Sequence, residues 1–261
     1  MEASTIDHYA KKLHDARIEN SPIRQFKNDV KDFDVRSAYQ IQEMGIDFRT
    51  ESSEKIVGYK MGLTSEAKRK QMNLDSPLYG VLTDKMELQD QSDFCYSGLI
   101  HPKIEPEIAF LIGKDLKHTV SREEVCESLK GVYIAMEILD SRYEEFKYFS
   151  LEEVISDNSS SSHFVMGALK QDWSNLALDD LPMTLSINGE STQVGNSKAI
   201  SGDPVQSVVQ LVELLHQNNK ILPAGSIVLA GAATQAVPLV GNMTITLDVP
   251  GFETVMVKVK E

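Results

Sequence analysis

The sequence is poor in cysteine. Cys95 and Cys126 are its two thiols in 261 residues, and they form no C-x-x-C pattern. That excludes a disulfide framework and a cysteine-built zinc site, and leaves reduced thiols as the reading. Long apolar runs are also missing. None approaches the ~20 residues needed to cross a bilayer, so no membrane association is expected. The opening residues, Met1-Glu2-Ala3-Ser4-Thr5, lack a basic start followed by an apolar stretch. No signal peptide is expected, and a cytoplasmic location is. Positive charge is in deficit, with 26 Lys+Arg against 39 Asp+Glu and a net charge of −13. No Lys/Arg stripe offsets this, so the chain repels phosphate backbones and no nucleic-acid partner is expected. A G-x-G-x-x-G, a P-loop, regular βα alternation, internal repeats and low-complexity tracts are all absent, which argues against dinucleotide and P-loop folds.

Hydrophobic periodicity organises the rest. Ile6, Tyr9, Ala10 and Leu13 recur at helical spacing behind Ser4 or Thr5 as a candidate cap. Val35, Ala38, Tyr39 and Ile46 mark one side of a second helix over 35–48, and Thr64 or Ser65 caps a short helix ending near Gln71. A short strand lies between them over 55–60. From Met86 the texture changes to strands, predicted over 104–112, 132–139, 163–167, 183–187, 227–229, 243–249 and 254–259. Asn188-Gly189 predicts a hairpin turn. Ser121-Arg122-Glu123-Glu124 has the form of a capping box, and a helix is predicted over 204–216. The class is α+β, with a mainly helical region over 1–85 and a β-rich domain over 86–261.

Three acids stand where apolar residues are expected. Glu105 and Glu107 sit two apart in Lys103-Ile104-Glu105-Pro106-Glu107-Ile108-Ala109, so on a strand they point the same way. Glu137 is alone inside Val132-Tyr133-Ile134-Ala135-Met136-Glu137-Ile138-Leu139. Like charges repel, and burial worsens it, so a positive group belongs between them. Carboxylate ligands without paired His or Cys suit Mg²⁺ or Mn²⁺. The alternative is an exposed edge of charged residues. Lys60 lies within an apolar run between Gly58 and Gly62, as a fixed cation or proton carrier, or with a packed stem and a solvated head. The polar run Ser156-Asp157-Asn158-Ser159-Ser160-Ser161-Ser162-His163 reads as a loop, suited to turns or to holding a carboxylate.

In order along the chain, Gly58-Tyr59-Lys60-Met61-Gly62-Leu63-Thr64, Ser76-Pro77-Leu78-Tyr79-Gly80, Pro102 to Ala109, Glu137-Ile138-Leu139-Asp140-Ser141-Arg142 and Asp157 to Ser161 resemble one family. It is the 2-keto-4-pentenoate hydratase/4-oxalocrotonate decarboxylase family of the fumarylacetoacetate hydrolase-like superfamily. The resemblance implies a rolled mixed β-sheet after the helical part. It implies Mg²⁺ (or Mn²⁺) on Glu105, Glu107 and Glu137, catalytic roles for Lys60, Asp157 and Ser160, and substrate binding by Leu63, Arg142, Ser161 and Thr234. It implies a small 2-oxo acid as substrate, a homo-oligomer, and for decarboxylases association with a partner hydratase. Asp140 to Lys147, Leu99 to Lys103 and Thr234 are similar to the decarboxylase version, with Arg142, Lys147 or His163 to face a second carboxylate. The chain departs from the pattern at Ala230-Gly231-Ala232-Ala233, where a Thr-Gly-Gly-like sequence is expected. The expected reaction is decarboxylation of 2-oxo-3-hexenedioate. The alternatives are hydration of 2-hydroxypenta-2,4-dienoate, a non-catalytic metal-binding homologue and, more distantly, carbon–carbon hydrolysis.

Overall fold

The computed structural model describes residues 1–27, 29–30, 32–65, 69, 76–146 and 150–261. Two long helices come first, α1 (Ala3–Glu19) and α2 (Val35–Glu51). Helix α1 buries Ile6, Ala10, Leu13 and Ala16 on one stripe. It begins earlier than the sequence suggested. Ser4 and Thr5 lie inside its first turn, and Glu2 occupies the cap position with no side-chain hydrogen bond. Asp34 caps α2 by accepting the Ser37 N–H at 2.8 Å. Ala38, Tyr39 and Ile46 are buried as expected, whereas Val35 faces solvent at the helix start. Most of the short helix expected to end at Gln71 falls outside the described residues.

The strands form two mixed sheets. The larger has eight strands in the order β2-β1-β10-β5-β6-β7-β3, with β11 also paired to β5. Its members are β1 (Ile56–Gly62), β2 (Leu78–Thr83), β3 (Glu87–Leu88), β5 (Lys103–Ile112), β6 (Leu129–Leu139), β7 (Ser161–Met166), β10 (Ile227–Ala232) and β11 (Val237–Pro238). The smaller has five, β4 (Asp93–Cys95), β13 (Val255–Lys260), β12 (Met243–Asp248), β8 (Pro182–Ile187) and β9 (Glu190–Asn196), in that spatial order. The chain texture changes near Met86, but the sheet does not break there: β1 and β2 are hydrogen-bonded into the larger sheet. The predicted β8–β9 turn is present, with Asn188 and Gly189 both at positive φ, the geometry of a type I′ turn.

Three further helices complete the chain, α3 (Arg122–Ser128), α4 (Leu151–Ser156) and α5 (Pro204–Gln217). The Ser121–Glu124 capping box forms as read, with Ser121 Oγ accepting the Glu124 N–H and Glu124 Oε2 accepting the Ser121 N–H. The main core joins α2, α5 and both sheets, and takes Ile104, Ile108, Phe110 and Ile112 from β5. The alternate residues of β5 face the other way, where Ala109 packs with Ala135, Leu229, Leu82 and Phe164. Glu105 and Glu107 belong to that second face by the period-two rule of a strand.

Candidate metal centre and active site

Strand register brings the acids together. In the antiparallel β5–β6 pair Glu105 stands directly opposite Glu137, and Glu107 is opposite Ala135. One carboxylate oxygen from each of the three acids lies within 4.8 Å of the others. Glu107 and Glu137 are completely buried. Lys60 enters from β1. Its register partner on β10 is Leu229, which in turn faces Ala109, so the lysine projects from the same face as the acids.

Lys60 is 2% exposed, and its ammonium sits 3.0 Å from Glu137 Oε2. It donates to Ser159 O and Ser159 Oγ, both at 3.1 Å. Burial pulls the Lys60 pKa down, but Glu137, Glu105 and Glu107 outweigh it and hold the group above its ordinary value. Gly80 makes room for the stem: a Cβ there would lie 3.1 Å from Lys60 Cγ and Cδ and 2.7 Å from Asn158 O.

The remaining oxygens tell which way the acids aim. Ser161 Oγ donates to Glu137 Oε1 at 2.9 Å. The Gly231 N–H donates to Glu107 Oε2 at 2.8 Å. Gly231 has φ 117, and a Cβ there would collide with Thr64 Oγ1 at 2.4 Å, so the loop that departs in sequence still needs its glycine. Glu107 Oε1 is buried with no hydrogen-bond partner. Burial, then the neighbouring carboxylates, push Glu107 well above the usual carboxylate range. The three acids gather around the Lys60 ammonium, and the orphaned buried Glu107 oxygen marks where a cation fits. The donor set is all oxygen and suits a hard divalent ion.

Beside the acids is a cavity of about 180 Å³ whose walls include Lys60, Leu63, Glu105, Phe146, Ser159 and Ser160. Of the residues singled out from sequence, Lys60, Leu63, Glu105 and Ser160 line it, and Ser161 acts on it through Glu137. Asp157 and Arg142 are paired with each other instead. Arg142 Nε donates to Asp157 Oδ1, Nη2 to Asp157 O, and Nη1 to the carbonyls of Asp140 and Ser161. Burial pushes the Asp157 carboxyl up to about 6, with Arg142 pulling against it, so at neutral pH the pair is ionised. Thr234 lies outside the cavity, its hydroxyl donating to Gln235 O. His163 is held down to about 4 by burial and then by Arg49 and Arg17, so it is neutral at pH 7 and offers no charge to a carboxylate. Lys147 lies outside the described residues. A larger groove of about 910 Å³ between α2 and α5 contains none of the acids.

The turn carrying Ser159 and Ser160 is strained. Asn158, Ser159 and Ser160 all have positive φ, at 49, 56 and 52. Left-handed backbone costs a non-glycine residue about 1–2 kcal/mol. The turn is held by Asn158, which accepts the Val81 N–H at 2.7 Å and donates to Val81 O at 2.9 Å, and by Ser160 O, which accepts the Asp140 N–H. Sequence reasoning singled out neither Asn158 nor Ser159 for a role, nor Gly231. The signal for Asn158 was its αL preference, which a run of serines obscured. Lys103 was also missed as a site group. It shares the face of Glu105 and Glu107, and its ammonium lies 4.0 Å from the centroid of the Phe146 ring, a cation–π contact at the cavity wall.

Residues 68–260 match the fumarylacetoacetate (FAA) hydrolase C-terminal family. The whole chain is 38% identical over 244 residues to a 4-oxalocrotonate decarboxylase of Pseudomonas sp., covering 94% of each. It is 33% identical over 224 residues to a 2-keto-4-pentenoate hydratase of Paraburkholderia xenovorans (strain LB400), covering 85% of this chain and 83% of that one. The fold superposes with a TM-score of 0.94 on 4-oxalocrotonate decarboxylase from Pseudomonas putida G7 complexed with magnesium and adipate, at 33% identity over 99% of this chain and 98% of that one. The helical N-terminal part and the curled mixed sheets are thus shared as one unit. The likeness runs through the helices as well as the sheets that hold the acids, and the chain belongs to the hydratase/decarboxylase family of the fumarylacetoacetate hydrolase-like superfamily.

Proposed function

We propose that the protein is a metal-dependent lyase that converts 2-oxo-3-hexenedioate to 2-hydroxypenta-2,4-dienoate and CO₂ in the catabolism of aromatic compounds. The observation that carries this reading is the buried Glu105–Glu107–Glu137 cluster with Lys60 in contact. The decarboxylase is preferred over the hydratase for two reasons. Identity is higher to the decarboxylase relative, and the similar solved decarboxylase holds adipate, a six-carbon dicarboxylate of the substrate's length.

A divalent ion, Mg²⁺ or Mn²⁺, held by Glu105, Glu107 and Glu137, supplies a Lewis acid for the 2-oxo acid end of the substrate. The chain's own groups do the rest. As the C5–C6 bond breaks, its electron pair passes through the C3–C4 double bond toward the C2 oxygen. The Lys60 ammonium is a fixed, dry charge on the face where that negative charge develops, and it holds a proton at Nζ for it. Ser161 fixes the orientation of Glu137, and the Gly231 N–H that of Glu107. Leu63 and Ser160 shape the cavity wall. Asp157 acts by position: paired to Arg142, it holds the turn that presents Ser159 to Lys60. Lys103 is placed to receive the far carboxylate before CO₂ leaves.

The hydratase is the second reading, since the same acids and lysine serve protonation and water addition, and its five-carbon substrate has no far carboxylate. The test is CO₂ release from 2-oxo-3-hexenedioate by the purified protein with Mg²⁺ and then with EDTA. CO₂ release that EDTA abolishes is the expected result. In a second arm, Lys103→Gln lowers kcat/KM about 10-fold for the dicarboxylate. Consumption of 2-hydroxypenta-2,4-dienoate with no CO₂ from the dicarboxylate would sink the decarboxylase reading in favour of the hydratase. The decarboxylase reading also carries a cytoplasmic homo-oligomer associated with a partner hydratase, which light scattering of the protein alone and mixed with that hydratase would check.

A further inference from the structure

The turn at 157–160 has two sides. One faces Lys60. The other closes a second cavity, of about 40 Å³ and partly open to solvent, between the ends of α1 and α2. His14, Arg17, Arg49, Arg142, Ser156 and Asn158 are among its lining residues. A volume of this size accommodates about three waters, and so a single small oxyanion.

Its charge is unbalanced. Arg142 is consumed by Asp157 and by backbone carbonyls. Arg49 spends Nε and Nη2 on Glu54 and Thr83. Both carboxylates near the cavity are therefore already engaged. Arg17, from the last turn of α1, is half-buried and makes no hydrogen bond or ion pair among the described residues. Burial, and then repulsion from Arg49, pull its pKa down to about 10. Ser156 is 4% exposed, and its hydroxyl has no partner. His14 Nδ1 is likewise buried without one. A buried hydroxyl without a partner is costly, and a third guanidinium beside two others adds repulsion. In a chain of net charge −13 this is a conspicuous local excess of positive charge.

We propose that this cavity binds a small oxyanion, with Arg17 as the uncommitted cation and Ser156 Oγ as a neutral donor. Sulfate, inorganic phosphate and the carboxylate of a small organic acid share the required chemistry: planar or tetrahedral oxygens matched to a guanidinium fork. The site is separate from the acids and stands whether or not the chain is a lyase. It backs onto the turn that holds the acceptor of Lys60.

The experiment is thermal unfolding of the metal-loaded full chain against sulfate, and separately against formate, a carboxylate without a 2-oxo group, with ionic strength held constant by NaCl. A saturable rise in Tm of about 3–5 °C at ten times the dissociation constant is expected with one or both probes. Arg17→Gln should lose the rise, Ser156→Ala should weaken it, and Arg17→Lys should retain part of it. Glu107→Gln should keep the response, because the metal centre is not the binding site. Response to sulfate alone assigns an inorganic oxyanion, and response to formate alone a carboxylate. A response unchanged in Arg17→Gln, one lost in Glu107→Gln, or none to either probe overturns the proposal.

Discussion

Glu107 shows what a single side chain can disclose. An acid between Pro106 and Ile108, two residues from a second acid at the start of an apolar strand, was legible in the sequence as a group needing a cation, and the structure buries it completely with one oxygen unpartnered. Glu137 was legible for the same reason, whereas the apolar run around Lys60 favoured by itself a packed stem with a solvated head, and the structure buries the ammonium instead. Arg142 and Asp157 were seen but their relation was not, because a 15-residue separation across two loops carries no periodicity to reveal a pair. Glu107→Gln should weaken Mg²⁺ or Mn²⁺ binding by more than the ~10–100-fold that changing a supporting group costs, by calorimetric titration. The metal-free variant should melt no lower than the metal-free parent, since it removes a repelled buried charge. Retained affinity would remove Glu107 from the ligand set. For Lys60→Met a fall in kcat of about 10²–10⁴ is expected, with metal affinity retained. A rate within twofold of the parent would reduce Lys60 to a packing role.

At the scale of elements, alternation fixed most strands and 3.6-residue periodicity most helices. The start of α1 was misplaced because a serine and a threonine resemble caps even within a first turn, where Glu2 needs no side-chain bond to begin the helix. That β1 and β2 join the larger sheet was hidden by the helices around them, for pairing with β10 is a contact over about 170 residues that no local pattern records. The 157–160 turn is the element on which the site depends most. Asn158→Ala would leave the Val81 N–H and carbonyl without their partner and free a strained turn to relax. A loss of about 2–4 kcal/mol by denaturant unfolding is expected, with kcat about 10- to 100-fold lower through displacement of Ser159. An intact kcat in a destabilised protein would show that the turn supports the fold and not the chemistry.

For the molecule as a whole, pH acts through groups that folding keeps in one charge state. His163 has an ordinary pKa of 6.5 and is held to about 4 by burial, Arg49 and Arg17, so the folded chain keeps it neutral. The unfolded chain takes up that proton first. Its contribution to stability is complete above pH 6.5, is lost as pH falls from 6.5 toward 4, and changes no further below that. The difference in Tm between the parent and His163→Asn should shrink across that window. A constant difference from pH 7.5 to 4 would show that His163 is not held neutral. The acidic surface bears on solubility and not on this window. No described helix is long and apolar enough to cross a membrane.

The direct opposition of Glu105 and Glu137 across β5 and β6 also sets where the chain tolerates a change of length. All three acids come from this one antiparallel pair, joined through residues 113–128. Adding or removing residues at the surface of that connection leaves the pairing, and so the ligands, in step. Deleting one residue between 131 and 136 has the opposite effect: every later side chain of β6 turns to the other face, Glu137 enters the apolar core, and a hydrophobic neighbour takes its place beside Glu105. The same few residues of chain are therefore permissive at the hairpin's end and unforgiving a few positions further along, and insertions in natural variants of this chain should collect on the first side of that divide.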